Sequence, residues 1–370
     1  MKALRKLAAL VLAGALCMSM LVGCGIDPEE TAATYGEEQV SLGFVNFMAK
    51  YQKSTADDLY VGYFGTGVWD YDMSGSGVTL KEQLLAGVVD TIHDLYTLKA
   101  HMNDYKVSLT AEDEAKIKEV AQAFIQNNTA EALKEMGATE EYVLEMLRLY
   151  TMQAKMYYAI IEETDREVKD EDANMRGYSY IKIALDGKYD DKGKFVKYTD
   201  AEVLKIETDA KKMENELEES SLEDVAKKYG YKVETGSYAT KAAADILGEK
   251  TLYNKLEKLK QGETSEMLEF DKAIYFIRID NDTDEKATKE KREAIIKERE
   301  TKLYNDKITE WQKNDSWKAN DKVIAKIDFH HIFTQDDGST EKDTSKNTEK
   351  NTEKGTETST EKGTEKTTEK

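Results

Sequence analysis

Apolar side chains recur every three to four positions through the first half of the chain, the spacing that places them on one face of an α-helix. A first helix is predicted to begin at Ser41, a good N-cap residue, and to run to about position 53. Further helices are predicted over 80–105, from Thr110 and from Thr139. The stretch 61–77 is rich in Gly, Tyr and Asp and is predicted to be a loop. The first half therefore predicts a bundle of helices.

In the second half of the chain, some stretches alternate apolar and polar side chains as strands do, and others repeat apolar side chains at helical spacing. Residues 178–184 alternate apolar and polar side chains as a strand does, and 274–279 is a strand rich in aromatic and β-branched residues. Helical spacing returns over 201–218 and 252–259, and Gly262 supplies a C-terminal stop. The inner face of the first of these helices is predicted to consist of Val203, Leu204, Ala210, Met213 and Leu217. Strands and helices alternating at these lengths predict an α+β domain.

The last hundred residues contain a charged helical stretch, a short apolar stretch and a tail without apolar residues. A long charged helix is predicted over 283–317, followed by a final strand over 323–329 that could pair with a short strand near Val40. From Thr334 onward the sequence contains no apolar residue, and Thr-Glu-Lys recurs. Such a composition cannot bury a core, so residues 330–370 are predicted to form a disordered tail.

The N-terminus has the pattern of an export signal. A positively charged start is followed by an apolar stretch too short to span a bilayer. The stretch ends in Leu-Val-Gly-Cys, a lipobox-like sequence in which small residues precede the cysteine that accepts lipid. Residues 1–23 are therefore assigned to a lipoprotein signal peptide, Cys24 to lipidation and 24–36 to a flexible tether. The alternative is an ordinary signal peptide cut near Gly23.

The charge and the cysteine content of the chain limit which ligands it can bind and whether it can form a disulfide. The net charge is −20, and it becomes −23 without the signal peptide, because that segment carries Lys2, Arg5 and Lys6. This acidity argues against nucleic-acid binding, since phosphate contacts need clustered Lys and Arg. Only two cysteines exist, and Cys17 leaves with the signal peptide, so the mature chain has no internal disulfide. Neither a phosphate loop nor a zinc spacing appears, so no cofactor and no metal are expected.

Three stretches together resemble the parvulin family of peptidyl-prolyl isomerases. The sequence LYNKLEKLKQGETSEMLEFDKAIYFIRID, from Leu252 to Asp280, resembles the C-terminal end of a parvulin domain. SLEDVAKKY, from Ser221, resembles a helix of the same family, and VKDED, from Val168, resembles the step that leads into such a domain. With the preceding helices, the order is similar to that of extracytoplasmic foldases of the PrsA and SurA kind, over roughly 39–328.

The resemblance implies a domain plan. Residues 37–175 would form a helical chaperone-like module, and 176–282 an inserted parvulin-like α+β domain. Residues 283–329 would return as a helix and strand that pack on the N-terminal module. That packing would put Trp311 and Trp317 in the interdomain core.

The positions of the family's two catalytic histidines are Tyr180 and Tyr275 in this chain. All four histidines lie outside the insert, so isomerase activity is expected to be weak or absent. A phenol both donates and accepts hydrogen bonds, so a pair of tyrosines could replace the histidine pair. The alternative is that both tyrosines are half-buried packing groups of strands.

Met and Tyr are unusually frequent in the helix that begins at Thr139. Core packing accounts for such a stripe. The sharper interpretation is a client-binding groove at Met146, Tyr150 and Tyr157, in which flexible and amphipathic side chains accommodate varied sequences.

Three functions follow from this sequence. The first is a lipid-anchored chaperone on the extracytoplasmic face of the membrane, whose partners are unfolded exported polypeptides. The second is an active isomerase of the parvulin type, and the third is a cell-surface interaction lipoprotein without foldase activity. A homodimer is left open by the sequence.

Overall fold

The computed structural model describes residues 25–241 and 246–333. Cys24 and the segment Thr334–Lys370 lie outside the described residues. Within them, the chain forms a helical module from its N- and C-terminal parts and an α+β insert between those parts. The mixed α+β class predicted from the sequence is confirmed.

The helical module contains most of the long helices. Its bounds are α1 Leu42–Phe64, a 3₁₀ turn Val68–Asp70, α2 Leu80–Ala100, α3 Ala111–Asn127, α4 Ala130–Met136 and α5 Glu140–Ile161. After the short α6, Asp170–Ala173, the chain enters the insert; it returns as α10, Glu285–Gln312, and α11, Asp321–Ile324. No helix in residues 25–241 and 246–333 is both long and apolar enough to cross a membrane.

The predicted helix starts are confirmed at their caps. Ser41 accepts a hydrogen bond from the Phe44 amide at 3.2 Å, and Thr139 accepts one from the Tyr142 amide at 3.1 Å. Thr79 and Thr110 form capping boxes, in which the cap hydroxyl and the third residue of the helix satisfy each other's amides. These signals lie within one helical turn, so the sequence alone specifies them.

Helix α1 is longer than predicted. It continues past Lys53 to Phe64, because Lys53 is fully buried and forms an ion pair with Asp57 one turn later. A lysine in this place is read from sequence as a polar end, whereas here it lies inside the module. The predicted loop therefore begins only at Gly65.

A three-stranded sheet joins the two ends of the module, in the order β2–β1–β9. Its strands are β1 Thr31–Tyr35, β2 Glu38–Ser41 and β9 Trp317–Ala319. The central strand β1 lies in the segment assigned to a flexible tether, and that assignment is wrong for residues 31–35. The reason is long-range pairing: strand β1 is short of bulky apolar residues, but it hydrogen-bonds on both edges.

The predicted final strand over 323–329 is also wrong. Val323 and Ile324 belong to α11, and their side chains pack into the module's core together with Ile327 and Phe329. The pairing strand lies earlier, at β9, where Trp317 is opposite Tyr35 of β1. Residues 330–333, assigned to the tail, lie against α1, and Phe333 is buried there.

The insert is built on an antiparallel sheet in the order β6–β3–β8–β7. The strands are β3 Met175–Ala184, β6 Val233–Ala239, β7 Leu268–Phe270 and β8 Ala273–Asn281, beside a hairpin of β4 Gly187–Tyr189 and β5 Phe195–Lys197. Its helices are α7 Asp200–Glu216, α8 Leu222–Tyr229 and the short α9 Leu252–Leu256. Register is fixed along the centre, where Tyr180 is opposite Ile277 and Lys182 is opposite Tyr275.

The two faces of this sheet carry different side chains. One face packs Ile181, Ile183 and Phe276 against α7 and α8. The prediction that Leu204 of α7 points inward is wrong: its side chain is exposed, while Ala210 and Met213 are buried. The other face carries tyrosines and is covered in part by the segment around α9.

Helix α10 returns from the insert to the helical module. Trp311 stacks on the His101 ring at 4.1 Å between centroids, and Trp317 stacks on His93 at 4.8 Å. Asp315 lies 2.6 Å from Nε2 of His93. Both tryptophans are half-buried at the edge of the module's core rather than at its centre. The fully enclosed tryptophan is Trp69, on the 3₁₀ turn.

Candidate functional site

The structure brings Tyr180 and Tyr275 together on one face of the insert's sheet. They lie on the neighbouring strands β3 and β8, and their ring centroids are 6.2 Å apart. Tyr178 extends the row, with its ring 5.9 Å from that of Tyr180. Tyr180 is opposite Ile277 and Tyr275 is opposite Lys182, and side chains two apart on a strand share a face, so this register puts both tyrosines on the same face.

Gly236 gives this row its room. It lies opposite Tyr178 in the ladder between β3 and β6, and a Cβ atom at position 236 would come within 2.6 Å of the Tyr178 hydroxyl. The absence of a side chain therefore lets the Tyr178 ring lie flat across the neighbouring strand.

The Tyr180 hydroxyl already has a fixed partner. It donates to the Glu234 carboxylate, with 2.5 Å between the two oxygens. Burial raises the pKa of Tyr180, and the adjacent Glu234 carboxylate raises it further, because both disfavour the phenolate. Tyr180 is therefore a neutral donor committed to Glu234.

Tyr275 is enclosed by its neighbours. Its ring is 2% exposed and stacks on Phe270 at 4.0 Å between centroids, with the planes nearly parallel. The Lys182 ammonium lies 5.7 Å from the centroid of the Tyr275 ring. A prolyl ring would have to displace Phe270 before it could contact Tyr275.

The three predicted client-binding residues differ in their surroundings. Met146 is 4% exposed and belongs to the core of the helical module, as the packing alternative describes. The Tyr157 hydroxyl is a hydrogen-bond partner of Lys297 on α10, and its ring lies 5.2 Å from that of Tyr304. Tyr150 alone is open to solvent, at 38% exposure.

Tyr150 lines a crevice where α1, α2 and α5 meet. The crevice has a volume of about 180 Å³ and is lined by Met48, Tyr51, Gln52, Thr55, Val88, Thr91 and Tyr150. Its walls combine a flexible thioether, two phenols and small polar groups. Such a lining suits apolar side chains of varied shape, with a hydroxyl or amide available at the rim.

A second apolar surface was missed from sequence. The end of α1 and the following loop expose large side chains that we call the aromatic tip: Leu59, Tyr63, Phe64, Tyr71 and Met73. The rings of Tyr63 and Phe64 lie 6.3 Å apart. The signal was present in the run Leu-Tyr-Val-Gly-Tyr-Phe, whose apolar residues occupy every side of the last turns of α1 and so cannot all be buried.

In the part of the chain that the structure describes, titratable groups do not gather into a metal site. Over the ranges 25–241 and 246–333, no three His, Cys, Asp or Glu side chains are placed to hold a metal ion together. His93 and His101 are instead paired with Asp315 and Asp104.

The fold and its surfaces define an α+β protein in which an insert with a tyrosine-lined sheet interrupts a helical module that has an open crevice. No protein-family model matches the chain, and no curated protein matches it. Among solved structures, the chain is similar to a SurA-like chaperone of Campylobacter jejuni, with 12% identity over 78% of this chain and 98% of that one, at a TM-score of 0.26.

Two structures described as PrsA give similar values. The peptidylprolyl isomerase PrsA of Bacillus cereus is 14% identical over 80% of this chain and 96% of its own, with a TM-score of 0.29. The foldase protein PrsA of Streptococcus pneumoniae is 13% identical over 71% and 99%, with a TM-score of 0.28. Identities and scores this low leave the function to be argued from the chain's own residues.

Proposed function

We propose that this chain is a membrane-anchored extracytoplasmic chaperone for exported polypeptides, with weak or absent prolyl isomerase activity. The observation that carries the proposal is a contrast between two surfaces. The tyrosine face of the insert is filled by its own side chains, whereas the crevice at Tyr150 on the helical module is open.

Isomerase activity is disfavoured by the chemistry of the tyrosine face. Catalysis of prolyl rotation requires an apolar pocket that takes the proline out of water and strains its amide. Here Phe270 occupies the space over Tyr275, and Glu234 holds the Tyr180 hydroxyl. The face that resembles a parvulin site is therefore a packed surface.

The first prediction concerns this face. Wild-type protein should accelerate isomerisation of a prolyl tetrapeptide little above the uncatalysed rate, and Tyr180→Phe/Tyr275→Phe should change nothing, because neither hydroxyl reaches a substrate. The measurement is protease-coupled isomerisation with a parvulin as positive control. Strong wild-type activity that the double substitution abolishes would establish the second candidate function, an active isomerase with a tyrosine pair.

Client binding is supported by the crevice. An unfolded chain offers isolated apolar side chains, and a shallow site lined by Met48, Tyr51 and Tyr150 can accept many of them without a fixed sequence. The protein's strong negative charge also keeps it soluble while it holds an apolar client.

The second prediction tests the crevice with a matched pair on one helix. Tyr150→Ala should reduce suppression of client aggregation several-fold, whereas Tyr158→Ala should not. Tyr158 is a suitable control because it is also on α5 and is 67% exposed, but it does not line the crevice. The readout is light scattering of a chemically unfolded, proline-free client at several ratios of protein to client.

Two outcomes would count against this assignment. Equal losses for both variants would show that the contact is general surface adhesion rather than the crevice. Absence of any effect of the wild-type protein on several clients would favour the third function, a surface interaction lipoprotein.

The third prediction concerns the anchor. The lipobox-like sequence that ends at Cys24 supports attachment of lipid to Cys24, which would anchor the protein on the extracytoplasmic face of the cell membrane. Cys24→Ser should therefore move the protein from the membrane to the soluble fraction. The check is fractionation together with uptake of a labelled fatty acid. Retention of Cys24→Ser in membranes, with no label in the wild type, would remove lipid anchoring from the proposal.

A further inference from the structure

The helical module holds a short segment of the chain much as a receptor holds a peptide. Residues 329–333 follow α11 and are neither helix nor strand. They lie against the middle of α1 and the 3₁₀ turn, and Phe329 and Phe333 are both buried there. The sequence of residues 329–333 is Phe-His-His-Ile-Phe.

Two side chains of α1 form hydrogen bonds with the main chain of this segment. Nζ of Lys53 donates to the carbonyl oxygen of His331 at 2.7 Å, and the amide of Phe333 donates to Oδ2 of Asp57 at 2.9 Å. Lys53 and Asp57 thus supply a donor and an acceptor to the main chain of this segment, which bends at His331. These contacts do not depend on the identity of the side chains they face.

Three rings surround the Lys53 ammonium and add selectivity. The centroid of Trp69 is 5.3 Å from Nζ, that of Phe333 is 5.4 Å away and that of Phe329 is 5.8 Å away. Phe329 also meets Trp69 edge to face at 5.5 Å. Cation–π contacts of this kind favour aromatic rings at the two ends of the bound segment.

The receptor side of this contact is organised without the segment. Lys53 and Asp57 are one helical turn apart on α1, and Oδ1 of Asp57 accepts from the Trp69 indole at 2.8 Å. If the segment leaves, water can reach both charges while their ion pair persists. Undocking therefore leaves no isolated charge in the core.

We propose that Lys53, Asp57 and Trp69 form a peptide-binding site for a short segment with two phenylalanines four residues apart, and that the chain occupies the site with its own residues 329–333. The same segment supplied by another molecule can fill the site when it is vacant. The aromatic tip adjoins the site through Tyr60, whose ring is 5.7 Å from that of Trp69, so a longer peptide has further apolar surface to contact.

This proposal does not depend on the chaperone function. The peptide site is distinct from the crevice at Tyr150, and its ligand is defined by spacing and main-chain contacts rather than by an unfolded state. Loss of client protection would therefore leave it standing, and loss of peptide binding would leave the crevice standing.

The test uses the full chain with the segment weakened. In Phe329→Ala/Phe333→Ala the cis ligand lacks its rings, so a fluorescent peptide of residues 328–333 should bind at least about tenfold more tightly than it binds wild type, in which the site is filled. A peptide with both phenylalanines changed to alanine should not bind. Adding Asp57→Asn to the double variant should abolish binding, because the amide cannot accept from all the donors that face Asp57.

Amide hydrogen exchange on the wild type gives a second, independent readout. In the wild type the main-chain amide of residue 333 should exchange slowly, because its acceptor is a buried carboxylate. The amide at the same position should exchange fast in Phe329→Ala/Phe333→Ala. A folded double variant that binds no peptide would overturn the proposal. A double variant that does not fold would also overturn it, because the segment would then be a permanent part of the core. An unprotected Phe333 amide in the wild type would overturn it because the segment would then not be docked.

Discussion

Asp57→Ala is expected to lower the free energy of unfolding of the helical module by about 3–5 kcal/mol, the range for breaking a buried ion pair. Asp57 accepts from Lys53, from the Trp69 indole and from the Phe333 amide, and its side chain is fully buried. Alanine would leave all three donors without this acceptor. Undocking of residues 329–333 would admit water to Lys53 and bring the loss toward the lower end.

Tryptophan fluorescence during urea unfolding measures this loss in the module alone. The chain has three tryptophans, Trp69, Trp311 and Trp317, and all of them belong to the helical module. Asp58→Ala is the matched control: it removes the next carboxylate on the same helix, but one that is exposed, and should change stability by less than about 0.5 kcal/mol. A loss below about 1 kcal/mol for Asp57→Ala would contradict the buried pair.

Arg176→Met should produce the largest loss in the insert, about 3 kcal/mol, from several hydrogen bonds to a buried cation. The Arg176 guanidinium donates to the Tyr238 hydroxyl at 3.1 Å, and to the carbonyl oxygens of Leu256 at 3.1 Å and Leu259 at 2.7 Å. It also donates to Asp282 at 2.6 Å. One side chain on β3 thus fastens the chain around α9 and the end of β8 to the sheet.

Arg278→Met is the control on the same sheet. Arg278 makes a bidentate pair with Glu223, both distances being 2.7 Å, and also donates to Asp280 at 2.7 Å. The Glu223 side chain is exposed and Arg278 is less buried than Arg176, so the loss of Arg278 should cost about 1 kcal/mol. Amide exchange in β3 and β8 reports the insert, while tryptophan fluorescence should stay unchanged for both variants. Equal losses for the two arginines would show that burial of Arg176 adds nothing.

The sequence by itself determined the local features of this protein. Threonine and serine caps set the starts of α1, α2, α3 and α5, because a cap is satisfied within one turn of its own helix. The alternation predicted β3 as a strand, because strand side chains have a period of two, whereas the register between β3 and β8 put Tyr180 and Tyr275 on one face. Helical period likewise gave the apolar stripe of α5.

The tertiary structure alone decided which polar residues enter the core and which apolar ones stay outside. Lys53 and Arg176 are buried because partners distant in sequence, at His331 and at Leu256 and Leu259, satisfy their donors. Strand β1 exists because β9, nearly three hundred residues later, completes its second edge. Tyr275 is closed off by the stacking of Phe270, and the end of α1 stays exposed because nothing packs on it in the described chain. Such contacts depend on long-range pairing, which no local period or propensity encodes.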